Sequence, residues 1–419
     1  MVWMGALIVV LVFAAIIRKY ETRLVLFLGG LAMTVLAGKF WMALEGFTKA
    51  MVNPGLVPVI CTVMGFAFVM KVTQCDLHLV HLMTKPLSRL RPILIPGAII
   101  VTFLVNIALP SAAGVAAAVG AVLIPALIGA GVHPAAAAAA IFAGTWGGVF
   151  NPGSAHVPFI ANLANTDPLT VIAVHKNASL AALTVIIILL TGIVYYRKEH
   201  QGYLSEDEKS AELAQIKINP LKAAIPVIPL ILLVLGSKQI GMIHGGVNVP
   251  QAMFIGMGLA FLVTLGDLQA ISKQFFAGMG EAYGSVIGII AAAAAFTTGM
   301  EAIGLTSALV DAMKSSESIA KIAATFGPLI IAFLSGSGDA ATLAFNSSIT
   351  PHAAQFGFGI VELGDQAFLA GAFGRSMSPV AGAAIVLAGL AKINPIELTK
   401  RNFIPMVAAT ITSMFIMLG

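Results

Sequence analysis

The chain has 419 residues, of which 59% are hydrophobic and only 10% are charged, and its formal net charge is +5. A soluble globular domain carries roughly 25% charged residues, so this composition excludes an ordinary soluble protein and predicts a polytopic membrane protein. The positive charge does not indicate nucleic-acid binding, because the basic residues lie in short segments between apolar runs, where they act as topology signals.

The start of the chain predicts a retained span. The first apolar run, about residues 2–17, lacks a preceding basic region and a small-residue cleavage site, so we do not interpret it as a signal peptide. Cys61 and Cys75 are too few to predict a disulfide framework or a metal site.

The first half alternates apolar runs with two interruptions. The runs lie at about residues 2–17, 23–41, 55–73, 93–131, 135–164 and 170–195. An amphipathic stretch at about 75–92 is predicted to lie on the membrane surface. Leu109-Pro-Ser-Ala-Ala-Gly114 divides the 93–131 run into two arms too short to span the bilayer, which predicts a re-entrant hairpin. Gly144-Thr-Trp-Gly-Gly-Val-Phe-Asn-Pro152 makes the 135–164 run a broken helix.

The second half repeats this order after a polar cytoplasmic linker at 197–220. Its runs lie at about residues 221–236, 249–266, 280–299, 322–359, 363–391 and 403–419, with an amphipathic connector at about 300–320. The 322–359 run is the second predicted hairpin and turns at Ser335-Gly-Ser-Gly-Asp339. The 363–391 run is the second broken helix, interrupted by Gly371-Ala-Phe-Gly-Arg-Ser-Met-Ser-Pro379.

An internal repeat relates residues 1–196 to residues 221–419. A shift of 227 residues places Ala143-Gly-Thr-Trp-Gly on Ala370-Gly-Ala-Phe-Gly374 and Asn151-Pro152 on Ser378-Pro379. With the N-terminus outside, 16 basic residues fall on the cytoplasmic side and six outside, as the positive-inside rule requires. Five crossings per half would then invert the second half relative to the first. We therefore predict an all-α membrane protein of about ten transmembrane helices plus two re-entrant hairpins in two inverted-topology repeats.

Four irregular segments should converge near the bilayer midplane. We call residues 110–114 the first tip, 335–339 the second tip, 144–154 the first break and 371–379 the second break. Half-helix starts expose N–H groups that favour anions, and short polar side chains suit carboxylate oxygens or Na⁺. The substrate-binding candidates among them, besides Arg375, are Ser111, Thr145, Asn151, Ser154, Ser337, Gly338, Ser376 and Ser378.

Arg375 is the sharpest candidate, because a charge at membrane depth costs at least ~2.5–3.5 kcal/mol and persists only with a function or a partner. Its guanidinium could grip a substrate carboxylate with two hydrogen bonds, or it could form a structural ion pair with Asp339. Asp339, His156, Asn151 and Ser378 are the coupling-ion candidates. A Na⁺ site at Ser337, Asp339 and Asn151 is one prediction, and proton transfer by His156 is another. No other cofactor is expected.

The sequence contains no Walker A loop, His-Glu-x-x-His motif or nucleophile elbow, so we expect neither an ATP-driven pump nor an enzyme. A secondary transporter of a small anion fits best. A Na⁺/H⁺ antiporter that uses Asp339 and His156 is the rival within transport. A membrane-embedded enzyme with the same two residues as acid and base is the rival outside it.

The second half resembles a known family. The motifs Phe276-Ala-Gly-Met-Gly-Glu-Ala-Tyr283, Gly299-Met-Glu-Ala-Ile-Gly-Leu305, Ser335-Gly-Ser-Gly-Asp339, Gly374-Arg-Ser-Met-Ser-Pro-Val-Ala-Gly382 and Ala388-Gly-Leu-Ala-Lys-Ile-Asn-Pro395 occur in order. Together they are similar to the DcuC-type anaerobic C4-dicarboxylate carriers, which are bacterial inner-membrane proteins of the ion transporter superfamily. The resemblance is strong over 270–405 and weaker in the first half.

The resemblance implies fumarate, succinate, malate or aspartate as substrate, moved by exchange or by Na⁺- or H⁺-coupled uptake or efflux (symport or antiport). It also implies a homodimer in which a scaffold domain carries a transport domain that moves like an elevator. Two departures concern the coupling ion. The family pattern has an amide where this chain has Asp339 and an acid where it has His156, so an acid has changed repeats.

Overall fold

A computed structural model describes residues 1–85, 93–203, 218–236, 240, 242–243, 246–314 and 317–419, without the side chains of residues 312–314 and 317. The described part is helical and contains no strand, which confirms the predicted all-α class. The first half forms helices α1 Val2–Ile17, α2 Thr22–Leu36, α3 Trp41–Met51, α4 Val57–Thr73, α5 Cys75–Thr84, α6 Leu94–Ala108, α7 Ala112–Gly129, α8 Pro134–Ala143, α9 His156–Leu163 and α10 Pro168–Tyr196.

The second half forms helices α11 Pro220–Ala224, α12 Ile228–Leu235, α13 Val249–Thr264, α14 Leu268–Ala282, α15 Gly288–Ala302, α16 Leu305–Lys314, α17 Glu317–Ser335, α18 Gly338–Ser348, α19 Ile360–Arg375, α20 Gly382–Ala391 and α21 Ile396–Met417. A π-helical segment, Tyr283–Ile287, joins α14 to α15. Short 3₁₀ turns occupy Gly147–Phe150 in the first break and Thr350–Phe356 after α18.

Local sequence explains where the helices near the irregular segments begin. The Ser111 hydroxyl accepts a hydrogen bond from the Gly114 N–H and caps α7. Asp167 accepts from the N–H groups of Leu169 and Thr170, with Pro168 at the first position of α10. Each cap satisfies N–H groups that a helix start leaves without an intrahelical partner.

Four helices of the described part are long and apolar enough to cross a membrane: Ala112–Gly129, Pro168–Tyr196, Leu268–Ala302 and Ser318–Ser335. Helices α4 and α5, bent by 77° at their junction, make a fifth if they count as one span. Several membrane-span candidates are therefore present, and the count of ten stays a prediction.

Three boundaries differ from the sequence predictions. The 221–236 run forms two short helices, because Pro226 lacks an N–H group and disfavours helix at the residue before it. The predicted 280–299 span belongs to a longer helical stretch of 35 residues, Leu268–Ala302, whose ~50 Å length exceeds the bilayer core. Helix α3 was not predicted, because its polar Glu45 and Lys49 made the segment look like a loop.

Two groups of helices build the molecule. Helices α2, α3 and α4 pack against α13, α14 and α15, and helix α1 packs beside α2. In the other group α10 packs along α21, while α6 contacts α8 and α17 contacts α19. The four irregular segments lie in this second group and face α4 and α15 across a cavity.

Helices recur in the two halves at the offset found in the sequence. Thr22 and Val249, 227 residues apart, begin α2 and α13, and Trp41 and Leu268, also 227 apart, begin α3 and α14. Contacts exchange in the same way, since α4 packs on α14 as α15 packs on α3. The inverted orientation of the two halves and the hairpin depths stay predictions. Residues 204–217 of the predicted linker and 86–92 of the amphipathic stretch lie outside the described residues.

Candidate functional site

The two tips and the two breaks meet at one cavity of about 350 Å³, here called the central cavity. Its wall includes Ser111 of the first tip, Gly338 of the second tip, Thr145 of the first break and Arg375 of the second break. Proteins bind small molecules in pockets of roughly 300–1,000 Å³, so the cavity suits a compact solute.

Seven of the eleven candidate side chains or backbones predicted from sequence line this cavity. They are Ser111, Thr145, Ser154, His156, Gly338, Asp339 and Arg375. The tertiary structure therefore brings together residues that are up to 264 positions apart in the chain.

Arg375 ends α19 and reaches across to the first break. Its Nη2 donates a 2.8 Å hydrogen bond to the carbonyl oxygen of Thr145, whose own hydroxyl donates to Phe142. Its Nη1 is buried and has no hydrogen-bond partner among the described residues. One nitrogen thus fixes the guanidinium at the cavity wall, where its positive charge can attract an anion.

Asp339 lies in the first turn of α18 and contacts His156, the first residue of α9. The His156 Nε2 and Asp339 Oδ1 atoms are 2.9 Å apart. The Asp339 side chain is 59% exposed because it faces the central cavity, whereas the His156 side chain is only 4% exposed. The ion pairs of the described residues join Asp339 to His156 and none joins Asp339 to Arg375.

Aromatic rings shape the cavity wall. The Phe368 ring lies tilted against the His156 ring, with centroids 4.4 Å apart. Trp146 and Phe373, which occupy corresponding positions of the two repeats, are buried and contact edge to face at 4.9 Å. These contacts fix the walls against which a small solute would pack.

Three helices begin at the cavity wall, where their free N–H groups and dipoles favour negative charge. Helix α7 begins after Ser111, α18 begins at Gly338 and α9 begins at His156. Only the α18 start carries its own acid, Asp339, in the first turn. With Arg375 beside them, these starts make the cavity suitable for an anion.

Four predicted candidates do not line the cavity: Asn151, Ser337, Ser376 and Ser378. The Asn151 amide instead donates to the Ile107 carbonyl at 2.8 Å and accepts from the Gly153 N–H, so it ties the first break to α6. Ser376 and Ser378 are fully buried. The predicted Na⁺ ligands Ser337, Asp339 and Asn151 therefore do not share the cavity wall, and the described residues contain no cluster of three or more His, Cys, Asp or Glu that could hold a metal ion.

Sequence reasoning missed Asn106 and Phe368, which both line the cavity. The Asn106 side chain donates to Leu109 and accepts from the Gly148 N–H, so it joins the first tip to the first break. An amide in an apolar run four residues before Pro110 was the signal that could have found it. No comparable signal distinguished Phe368 from other apolar residues of α19.

Comparison with known proteins also indicates a carrier family. The model of the DcuC family, described as C4-dicarboxylate anaerobic carrier, matches residues 4–419. The anaerobic C4-dicarboxylate transporter DcuC of Escherichia coli strain K12 is 25% identical over 97% of this chain and 94% of its own length. A putative uncharacterized transporter of Haemophilus influenzae is 37% identical over 63% of this chain and 98% of its own length.

Proposed function

Because this chain belongs to the DcuC family of C4-dicarboxylate anaerobic carriers, we propose that it is a secondary active transporter of C4-dicarboxylates across the bacterial inner membrane. The observation that carries this proposal is Arg375, held at the central cavity by Thr145 with Nη1 left unpartnered among the described residues. The substrates proposed are those of the fumarate, succinate, malate and aspartate class.

The cavity offers two docking points for a molecule with two carboxylates. One carboxylate would bind the Arg375 guanidinium, which presents planar paired donors. The other would lie at the start of α7, where the Ser111 hydroxyl can donate a hydrogen bond and the helix dipole favours negative charge. Apolar contacts with Trp146 and Phe368 would cover the carbon chain between them.

We further propose that the two halves are inverted repeats and that the tips and breaks move as a unit against α4 and α15 in a homodimer. The 227-residue recurrence of helix starts and exchanged contacts supports the repeat. A second contact supports a first hairpin that enters from the cytoplasm. The Tyr203 N–H donates to the Gly131 carbonyl and the His133 N–H donates to the Glu199 carbonyl, so the loop after α7 contacts the end of α10 and the predicted cytoplasmic linker.

Transport would be driven by exchange or by a Na⁺ or H⁺ gradient. The contact between His156 and Asp339 also supports a second candidate function, Na⁺/H⁺ antiport, in which these two side chains exchange cations and Arg375 is structural. A carrier of another small organic anion is the remaining alternative.

Counterflow in proteoliposomes separates these functions. Vesicles preloaded with unlabelled succinate should accumulate labelled succinate transiently, because a carrier exchanges one molecule for another without net driving force. An antiporter of cations should show no such accumulation and should instead acidify or alkalise the lumen when a Na⁺ gradient is imposed. The absence of counterflow with every C4-dicarboxylate tested would reject the proposed function.

A further inference from the structure

The central cavity contains one fixed positive charge and one fixed negative charge. Arg375 and Asp339 both line it, yet they do not form an ion pair with each other among the described contacts. Instead the Arg375 guanidinium is anchored on a neutral carbonyl oxygen. Both charges therefore remain available to a bound solute.

The partner of Asp339 is the imidazole ring of His156. His156 Nδ1 is buried without a hydrogen-bond partner among the described residues, whereas Nε2 faces Asp339 Oδ1. The ring therefore contacts one oxygen of the Asp339 carboxylate and leaves the other without a partner among the described residues.

Asp339 is also accessible to a solute. Only its Oδ1 is occupied by His156, and 59% of its side chain faces the cavity. A substrate with two carboxylates and no positive group would bring two negative charges close to this third one. That arrangement costs free energy, because like charges close together in a site of low dielectric repel.

Resting on the proposed function, we propose that the preferred substrate is a short dicarboxylate that carries an ammonium group, and that Asp339 binds this ammonium. One substrate carboxylate lies on Arg375, the other at the start of α7, and the ammonium on the free oxygen of Asp339. Each charge of such a molecule then meets an opposite charge or a helix start. Asp339 is the residue that selects the amino-dicarboxylate over a plain dicarboxylate.

A monatomic cation is a poorer occupant of this position. The hydroxyl of Ser337 and the amide of Asn151, which were predicted to help Asp339 hold Na⁺, do not line the central cavity, so Asp339 alone of the three would meet a cation there. An ammonium needs fewer oxygen ligands than a bare metal ion, since it forms directed hydrogen bonds with a small number of acceptors.

The test measures binding of L-aspartate, L-malate and succinate to purified wild-type protein and to Asp339→Asn by calorimetric titration. These ligands share a carbon chain and differ by an ammonium, a hydroxyl or a hydrogen. Wild type should bind L-aspartate about tenfold or more tighter than the other two, as a charge-assisted hydrogen bond implies. Asp339→Asn should lose that preference and bind succinate as well as wild type or better.

Ser337→Ala is the matched control, because it alters a neighbouring side chain outside the cavity wall and should keep the preference. Equal binding of all three ligands by wild type overturns the inference, and this result does not depend on the variant folding. Retention of the preference by Asp339→Asn also overturns it. Equal weakening of all three ligands by that variant does so too, since Asp339 would then hold a coupling cation. If wild type binds none of the three, the proposed function itself fails.

Discussion

The two tips occupy equivalent places in the two halves but present opposite charges to the central cavity. At the first tip Ser111 caps α7 and Ala112 follows, so no acidic side chain offsets the positive end of the α7 dipole. At the second tip, 227 residues later, Gly338 and Asp339 stand at these positions, and the acid offsets the dipole of α18. One tip is therefore suited to an anion and the other to a cation.

The two breaks differ in the same way. Arg375 of the second break corresponds to Gly148 of the first, which contributes no side chain. In exchange the first break contributes a backbone acceptor, the Thr145 carbonyl, which holds the guanidinium. The repeat thus supplies two similar backbones, and a few substitutions between them make an asymmetric site that can orient an asymmetric solute.

The largest expected effect comes from removing the charge that distinguishes the breaks. Arg375→Gln should reduce C4-dicarboxylate transport by about 100-fold or more, because a carboxylate would enter the cavity without its counter-charge. Counterflow with labelled succinate measures this at matched protein levels. Lys400→Gln removes the same charge from an exposed surface pair with Glu397 and should transport normally. Normal transport by Arg375→Gln would exclude a substrate-binding role.

The next largest effect is expected from the contact between the halves just after the end of α10, where Arg401 pairs with Glu199. Arg401 is only 3% exposed and donates to both Glu199 oxygens and to Glu397. Arg401→Gln should lower the free energy of unfolding by about 3–5 kcal/mol, because two buried or partly buried carboxylates lose their partner. Thermal melting in detergent checks this against Lys400→Gln. An unchanged melting temperature would show that the cluster does not join the halves.

Glycines of the breaks should matter equally in both halves. A Cβ on Gly147 would lie 2.0 Å from the Phe103 carbonyl oxygen, and one on the equivalent Gly374 would lie 2.3 Å from that of Leu329. Either Ala substitution should destabilise the fold by at least about 1–3 kcal/mol. Gly148→Ala, whose nearest neighbour would be 3.6 Å away, is the control and should melt near wild type. Tolerance of both substitutions would contradict the close packing of breaks on hairpin arms.

A smaller effect is expected from a substitution that makes the two tips alike. Ala112→Asp would place an acid at the first tip where Asp339 stands in the second, and should weaken dicarboxylate binding by about tenfold through loss of a helix-start anion site. Ala112→Asn has nearly the same volume without the charge and should bind more tightly than the Asp variant. Titration calorimetry compares the two. Equal affinities would mean that no carboxylate lies at the start of α7.

The smallest expected effect is a pH dependence of stability that comes from Glu397, which lies outside the predicted last span. Hydrogen bonds from Lys400 and Arg401 lower the pKa of the Glu397 carboxyl below its ordinary 4.5. Its contribution is therefore complete above that value and is lost as the pH falls through the lowered pKa. The pair of Glu397 and Lys400 is partly exposed, so the contribution of Glu397 to the free energy of unfolding should be below about 1 kcal/mol. Melting of wild type and Glu397→Gln should converge between pH 5 and about 3, whereas parallel curves would contradict this.

The sequence was sufficient for the helical class and for the residues that bear charge. Arg375, Asp339 and His156 stand out in apolar sequence because burying an ionisable group demands a reason. Proline and glycine placed the tips and breaks, because these residues interrupt helices. Helix α3 was not predicted because its polar Glu45 and Lys49 are exposed and only its other face packs on α15, a distinction that requires the packing partner to be known.

The partners of these residues could not be read from the chain. Asp339 bonds a histidine 183 residues away, and Arg375 bonds a carbonyl 230 residues away. The roles of neutral polar side chains were harder to predict, since Asn151 bonds backbone groups of Ile107 and Gly153, and Ser376 and Ser378 are buried away from the cavity wall. Whether a short polar side chain serves backbone or ligand depends on tertiary contacts that residue type does not determine.

The central claim is that Arg375 and the first tip together bind the two carboxylates of one solute. A cryo-electron microscopy structure of the protein saturated with L-aspartate tests it most directly. The account predicts ligand density in the central cavity that bridges the Arg375 guanidinium and Ser111, with its amino end on Asp339. Density elsewhere in the protein, or an Arg375 side chain that turns away from the cavity toward lipid, would contradict it.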